Sequence, residues 1–454
     1  PPRTRSGSAI PLDGSADDFL SQPSYRTEQL GLHPLLRPTP LPRGEDGIVR
    51  LRTLVERRAW GDVLKMATAL LNSENSVHAG VYASLVTLPL NAPPAPDVST
   101  IASEIRQETV EIMILQCNAW LKLRRYTDLA TEVERWNFLT QNDATAQSPD
   151  WLPWSLHILA GQALEYAEEA VRATDILYQL RERIPSTEHV WLASVDNALA
   201  NIFLRRGEFR LAMASLDRII CLLPEAVKTQ VVNTQRPDSE TERMVDALTK
   251  AYTCEILSRQ GRTFLEAGAL FEAAEVFESA KGFWVEVESL LNLTPQVGEL
   301  VSHDLIKVLP CHMEINEALF YFAKSHYDHA LQSFNKAAEI LRKDNNFQNQ
   351  YKVQDWLGPG IAGNQPASTL YCESVNNIAL CHLYMCNMTE AVDLLEGLIR
   401  EDPSAFLTER VAFNLCTLYE LGSDIPTGLR KKKILQLIAK RFCLHDIGPE
   451  SFRV

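Results

Sequence analysis

Gly358, Gly360 and Gly363 stand as G-x-G-x-x-G inside DWLGPGIAGNQPAS, residues 355–368. That spacing can bring backbone N–H groups onto a dinucleotide pyrophosphate. The chemistry needs a buried strand ahead of the glycines, a helix directly behind them and an acid about 20 residues on. The preceding NNFQNQYKVQ is too polar for a central strand of a parallel sheet. Behind the glycines, Pro366 pushes Gln365 out of the helical region. No GxxxxGK followed by Ser or Thr occurs elsewhere. The glycines read as a loop inserted between helices, and no cofactor is expected.

Metal chemistry has one candidate group, Cys372, Cys381, His382 and Cys386. Its offsets lack the paired C-x-x-C or H-x-x-x-H geometry of a zinc site, so no metal is expected. His326 and His329 are an i, i+3 pair at a helix turn, expected to be exposed. The signatures of serine hydrolases, zinc proteases and kinases are missing. No catalytic residue can be nominated, and the expectation is a protein that is not an enzyme. The nine cysteines form no C-x-x-C pair, and several fall within apolar helical patterns. Reduced thiols of an intracellular protein are expected.

The elements that would hold any site are helices. The 454 residues are 46% hydrophobic and 22% charged, ordinary for a globular or repeat protein. A net charge of −14 argues against nucleic acid as a partner. No apolar run approaches 18 residues, so no membrane span is expected, nor is a signal peptide visible. The chain opens PPRTRSGS without methionine and reads as part of something longer.

From about residue 47 the chain is helix after helix with 3.6-residue periodicity. Four segments repeat one pattern: 197–224, 256–280, 316–342 and 376–403. Each carries a small residue in its first helix (Ala200, Gly261, Ala318, Ala379). Three positions on comes Phe203, Phe264, Tyr321 or His382. The second helix carries Ala212, Ala273, Ala330 or Ala391, then Leu216, Phe277, Phe334 or Leu395. Next come Ile219, Ala280, Ala337 and Leu398, with Pro224 and Pro403 expected to end two of these helices. Many residue types matching at fixed offsets is the tetratricopeptide pattern. Small side chains let paired helices approach and large ones fill the gaps, so Phe264, Phe277, Phe320 and Phe334 are expected in the core. One hairpin cannot bury its apolar face alone, so hairpins must stack. The fold class is therefore all-α, an irregular α-solenoid of tetratricopeptide helix hairpins with an extended N-terminal arm.

The copies lie nearly twice as far apart as the motif's 34-residue period. The surplus is either a further long helix or an insertion, with 225–248 and 345–372 as the candidates. Residues 1–45 form a proline-rich irregular arm, and 46–190 hold degenerate hairpins at 50–72, 114–136 and 154–185. Tetratricopeptide repeats with those inserted loops occupy 191–425, and 426–454 are a basic capping helix and tail. Within that end, RKKKILQLIAKRF is a basic amphipathic helix expected to cap the stack.

A tetratricopeptide groove can grip a peptide terminus with Lys and Asn from adjacent first helices. The comparable face offers Asn197, Asn201 and Arg205, then Ser258, Arg259 and Arg262, before turning apolar at Leu319 and Phe322. That set does not rebuild the clamp. Asn197, Asn201, Arg205, Arg259, Arg262 and Phe322 remain the candidate partner-binding groove, with a peptide-binding adaptor as the alternative function.

The run SVNNIALCHLYMCNMTEAVDLLEGLIREDP, followed by ERVAFNLCTLYELGS, resembles the subunit-twelve family of the TRAPP III vesicle-tethering complex. The matching positions are Asn376, Asn377, Pro403, Phe413, Asn414, Leu415, Tyr419, Glu420 and Leu421. The resemblance covers about 310–425; beyond it an added basic stretch departs from the pattern. It implies a cytosolic, non-catalytic scaffold bound to other TRAPP III subunits: the large subunit eleven first, then subunit eight and the core. A Rab-family GTPase would be met only indirectly, through nucleotide exchange by the complex. The implied setting is ER-to-Golgi transport and autophagy, at ER–Golgi intermediate and Golgi membranes.

Overall fold

The computed structural model describes residues 47–73, 76–86, 101–136, 139, 151–232, 239–293, 304–343 and 367–453. The proline-rich arm and Gly358, Gly360 and Gly363 lie outside these residues. What is described is all-α, with a single isolated bridge between Val86 and Trp136.

Seven hairpins follow one another among the described residues. They are α1 (Gly47–Glu56) with α2 (Trp60–Asn72), then α4 (Ser103–Lys122) with α5 (Tyr126–Glu134), α3 (Val77–Leu85) standing between them. Next come α6 (Trp154–Tyr166) with α7 (Ala170–Arg183), and α8 (His189–Arg205) with α9 (Phe209–Val232). Then α10 (Ser239–Glu266) pairs with α11 (Leu270–Leu293), and α12 (Asp304–Ala323) with α13 (Tyr327–Lys343). Last is α14 (Ala367–Tyr384) with α15 (Met388–Glu401). A short α16 (Pro403–Phe406), α17 (Glu409–Gly422), α18 (Ile425–Arg441) and a 3₁₀ turn at Pro449–Phe452 follow.

One turn is used in every hairpin. The residue after the first helix's cap has positive φ: Arg58, Arg124, Glu168, Gly207, Gly268, Ser325 and Cys386. The next N–H then closes a six-to-one bond, as from Glu208 to the Phe203 carbonyl at 2.8 Å and from His326 to Tyr321 at 2.9 Å. This left-handed cap satisfies the orphan carbonyls of a helix end. Cys443 repeats it after α18. Only two of the hairpin turns use glycine, so glycine marks just part of a geometry shared by all seven.

The repeat alanines sit where close packing demands them. Ala200, Ala212, Ala273, Ala318, Ala330 and Ala391 are fully buried. At Gly261 even one methyl group would overlap the ring of Phe277. Phe334 is buried, as expected, and so is Phe203, but Phe264, Phe277 and Phe320, also expected in the core, are only half-buried.

Pro224 does not end its helix; α9 runs through it to Val232. An internal proline costs about 3 kcal/mol. Leu223, Ala226, Val227 and Val231 are all buried there, and that apolar area offsets the cost. The wide spacing of the copies comes largely from long helices, because α9, α10 and α11 have 24, 28 and 24 residues. Much of 225–248 is thus helical, and α14 begins at Ala367, inside the 345–372 range.

Candidate protein-binding surface

The first helices of successive hairpins are joined to one another by polar bonds. Between α6 and α8, Arg205 donates to both oxygens of Glu165 at 2.9 and 3.0 Å, and its guanidinium lies 4.7 Å from the Tyr166 ring centre. Between α8 and α10, Arg259 donates to the amide oxygens of Asn197 and of Asn201, the latter at 2.8 Å. Between α10 and α12, Arg262 bonds the Asn316 amide oxygen at 3.0 Å, and Asn316 donates to Ser258 at 2.8 Å. The next joint is aromatic. Phe322 meets Tyr327 and Tyr384 edge-on, both at 5.3 Å, and those two tyrosines stack at 4.9 Å. Between α14 and α17, Asn414 donates to Asn376 at 2.9 Å and Arg410 to Glu373 at 3.1 Å.

Every one of the groove residues read from the sequence lies on this ladder. Asn197, Asn201, Arg205, Arg259 and Arg262 form one connected face, with Phe322 further along it. Their polar groups are engaged between helices. The reason is energetic: a buried guanidinium or amide needs partners, and the adjoining first helix is the nearest source.

One buried carboxylate joined to the ladder is missing from the sequence reading. Glu255 is 3% exposed and is held by Arg262 at 2.9 Å and by His312. Burial alone would raise its pKa, but the charges and hydrogen bonds of His312 and Arg262 outweigh it and hold the carboxyl at about 2. Glu255 and His312 are 57 residues apart, and nothing in the local pattern pairs them.

The array closes on itself. Arg58, in the α1–α2 turn, bonds Asp446 at 2.7 and 3.0 Å and the carbonyls of Ser404 and Leu407 at 2.9 and 3.1 Å. Arg124, in the α4–α5 turn, bonds Glu409 and Glu450. Cys443 packs against the N-terminal core. On α18, Lys432 is buried, reaching Glu420 and the Arg453 carbonyl at 2.9 Å, while Lys431 lies 4.7 Å over the Tyr419 ring. The basic helix is therefore partly an interior element, and the chain's last turn folds back over it.

A cavity of about 520 Å³ lies at this junction, bounded by the α1–α2 and α4–α5 turns, α14, and the start of α17. Asn376 and Asn377 are among its walls. Of the cysteine and histidine group, Cys372 and Cys381 are buried and Cys386 sits exposed in a turn. Among the described residues no group of three His, Cys, Asp or Glu side chains is placed to hold a metal ion, and no helix is long and apolar enough to cross a membrane.

No family model matches the chain. It is 25% identical over 421 residues to Trafficking protein particle complex subunit 12 of Mus musculus, across 87% of this chain and 43% of that protein. To the Homo sapiens protein of the same name it is 22% identical over 414 residues, across 87% of this chain and 47% of the relative. The similarity read in the C-terminal third thus extends over most of the chain, which spans less than half the length of these relatives. Among solved structures, apo RapI aligns with a TM-score of 0.37 and 14% identity, over 73% of this chain and 77% of that one. The APC/C hetero-tetramer Cut9–Hcn1 aligns at 0.23 and 10%, over 87% and 81%.

Proposed function

We propose that this chain is a non-catalytic scaffold of the TRAPP III complex. The observation that carries the reading is the similarity to subunit 12 over 87% of the chain. The closed array supports it physically: stacked hairpins present a large outer surface to neighbours. In this reading the chain binds subunit eleven first, then subunit eight and the core. It supports nucleotide exchange on a Rab-family GTPase without touching the GTPase itself. The process is ER-to-Golgi transport and autophagy, and the location is the cytoplasmic side of ER–Golgi intermediate and Golgi membranes. The solvent-facing flanks of Arg205, Arg262 and Phe322 are the proposed contact face, with Asn197, Asn201 and Arg259 holding that face in shape.

Mass spectrometry of proteins copurifying with the tagged chain tests this. TRAPP subunits are expected with the native chain and lost with Ala330→Arg, which forces a charge into a fully buried helix joint. Absence of TRAPP subunits from the native pull-down would sink the proposal. The second reading, a peptide-binding adaptor, draws its support from the polar cavity at the closure.

A further inference from the structure

The cavity at the junction holds more polar groups than the chain itself satisfies. Its volume of about 520 Å³ lies within the range of ligand sites. Four cations and three carboxylates line it. Arg58 is paired with Asp446, Arg124 with Glu409 and Glu450, and Arg410 with Glu373. Lys122 makes no hydrogen bond or ion pair among the described residues. Surrounding protein lowers its pKa from the ordinary lysine value, Asp446 opposing and Arg58 adding to the effect. Its side chain is nevertheless exposed, and it is part of the cavity wall. Burial meanwhile raises the pKa of Glu373, with the Arg410 charge opposing.

The amides beside it are equally uncommitted. Asn376 gives its side-chain oxygen to Asn414 and keeps its side-chain N–H groups, and the Asn377 side chain makes no hydrogen bond among the described residues. Tyr126 stacks on Tyr166 with ring centres 5.7 Å apart and supplies a flat wall. A simple anion would accept from the ammonium and the amide N–H groups but would leave the Asn377 amide oxygen without a donor. An extended peptide offers a carboxylate together with backbone N–H and C=O groups.

We propose that this cavity binds an acidic residue carried on an extended peptide segment of a partner protein, Lys122 taking the carboxylate and the Asn376 and Asn377 amides the peptide edge. The proposal rests on the scaffold reading only in that the segment belongs to a neighbouring subunit.

A short fluorescein-labelled peptide of alternating glutamate and glycine, and its glutamine counterpart, are titrated with the purified chain and followed by anisotropy. The glutamate peptide is expected to bind about tenfold tighter or better, the scale of one charge-assisted hydrogen bond. Lys122→Met should abolish that preference with an unchanged thermal midpoint, and Lys122→Arg should keep most of it. Equal binding of the two peptides, or a Lys122→Met protein that binds like the native one, would overturn the proposal. Displacement by glutarate as effective as by unlabelled peptide would overturn the peptide assignment. Copurification is read in parallel. TRAPP subunits present without a glutamate preference defeat the cavity proposal alone. A glutamate preference without TRAPP subunits supports the cavity and defeats the scaffold reading.

Discussion

Arg58 and Asp446 form an ion pair at 2.7 Å across 388 residues of sequence. Both side chains are largely buried, at 6% and 14% exposure. A stack of hairpins ordinarily contacts only its nearest neighbours. Here the α1–α2 turn meets the segment between α18 and the Pro449–Phe452 turn, and the ladder of first-helix contacts runs into the junction through Arg124 and Glu409.

Removing one partner of a buried pair leaves the other uncompensated, at a cost of roughly 3–5 kcal/mol. Arg58→Met is expected to open the junction before it unfolds the hairpins, which keep their own cores. Hydrogen exchange should rise at 402–407 and 443–453, and the radius of gyration in solution scattering should increase. Unchanged exchange at both segments would refute a closing role for this pair.

His157 gives the molecule an acid-labile point in α6. It is 1% exposed, and burial, aided by the Arg183 charge, lowers its pKa from 6.5 to about 4, against an opposing hydrogen bond to the Pro153 backbone. The unfolded chain therefore takes up a proton below about 6.5 that the folded chain refuses until about 4. Stability is fully present above pH 6.5 and falls between these values, by up to about 3 kcal/mol. Urea midpoints at pH 7 and pH 5 should differ less for His157→Leu than for the native chain.

The shared turn makes opposite predictions at neighbouring hairpins. Ser325 and Glu168 hold φ of 61° and 67°, a region that costs a residue with a Cβ about 1 kcal/mol. Ser325→Gly and Glu168→Gly should each stabilise by about that much, and Gly268→Ala, at φ 77°, should destabilise by a similar amount. Chemical denaturation of the single variants distinguishes the signs.

Gly261 tests how tightly a hairpin is closed. Alanine is a better helix former by about 1 kcal/mol. Its methyl group would nevertheless overlap the Phe277 ring, and overpacking costs about 1–3 kcal/mol. Gly261→Ala is expected to lower the thermal midpoint, and adding Phe277→Leu should recover part of the loss. A rise on the single substitution would show that the ring moves aside freely.

The aligned alanines and aromatics made the hairpins legible, because their spacing reflects contacts within one hairpin and with the next. The proline rule failed at Pro224, where a local preference met four buried apolar neighbours and lost. The face bearing Asn197, Arg259 and Arg262 was legible as a face. Its bonding was not, since each partner lies some 54 to 62 residues away on another hairpin. The unpaired state of Lys122 had no signature at all, as it depends on which cations the far end of the chain pairs off.

By itself the sequence determined the helices, their pairing into hairpins and the small residues that let them touch, because those interactions repeat along the chain at fixed short offsets. Only the tertiary structure decided that the array closes, which groups meet at the closure and that a polar cavity is left between them. Closure is the sum of small rotations from one hairpin to the next, and such a sum is a property of the whole stack that no single repeat encodes.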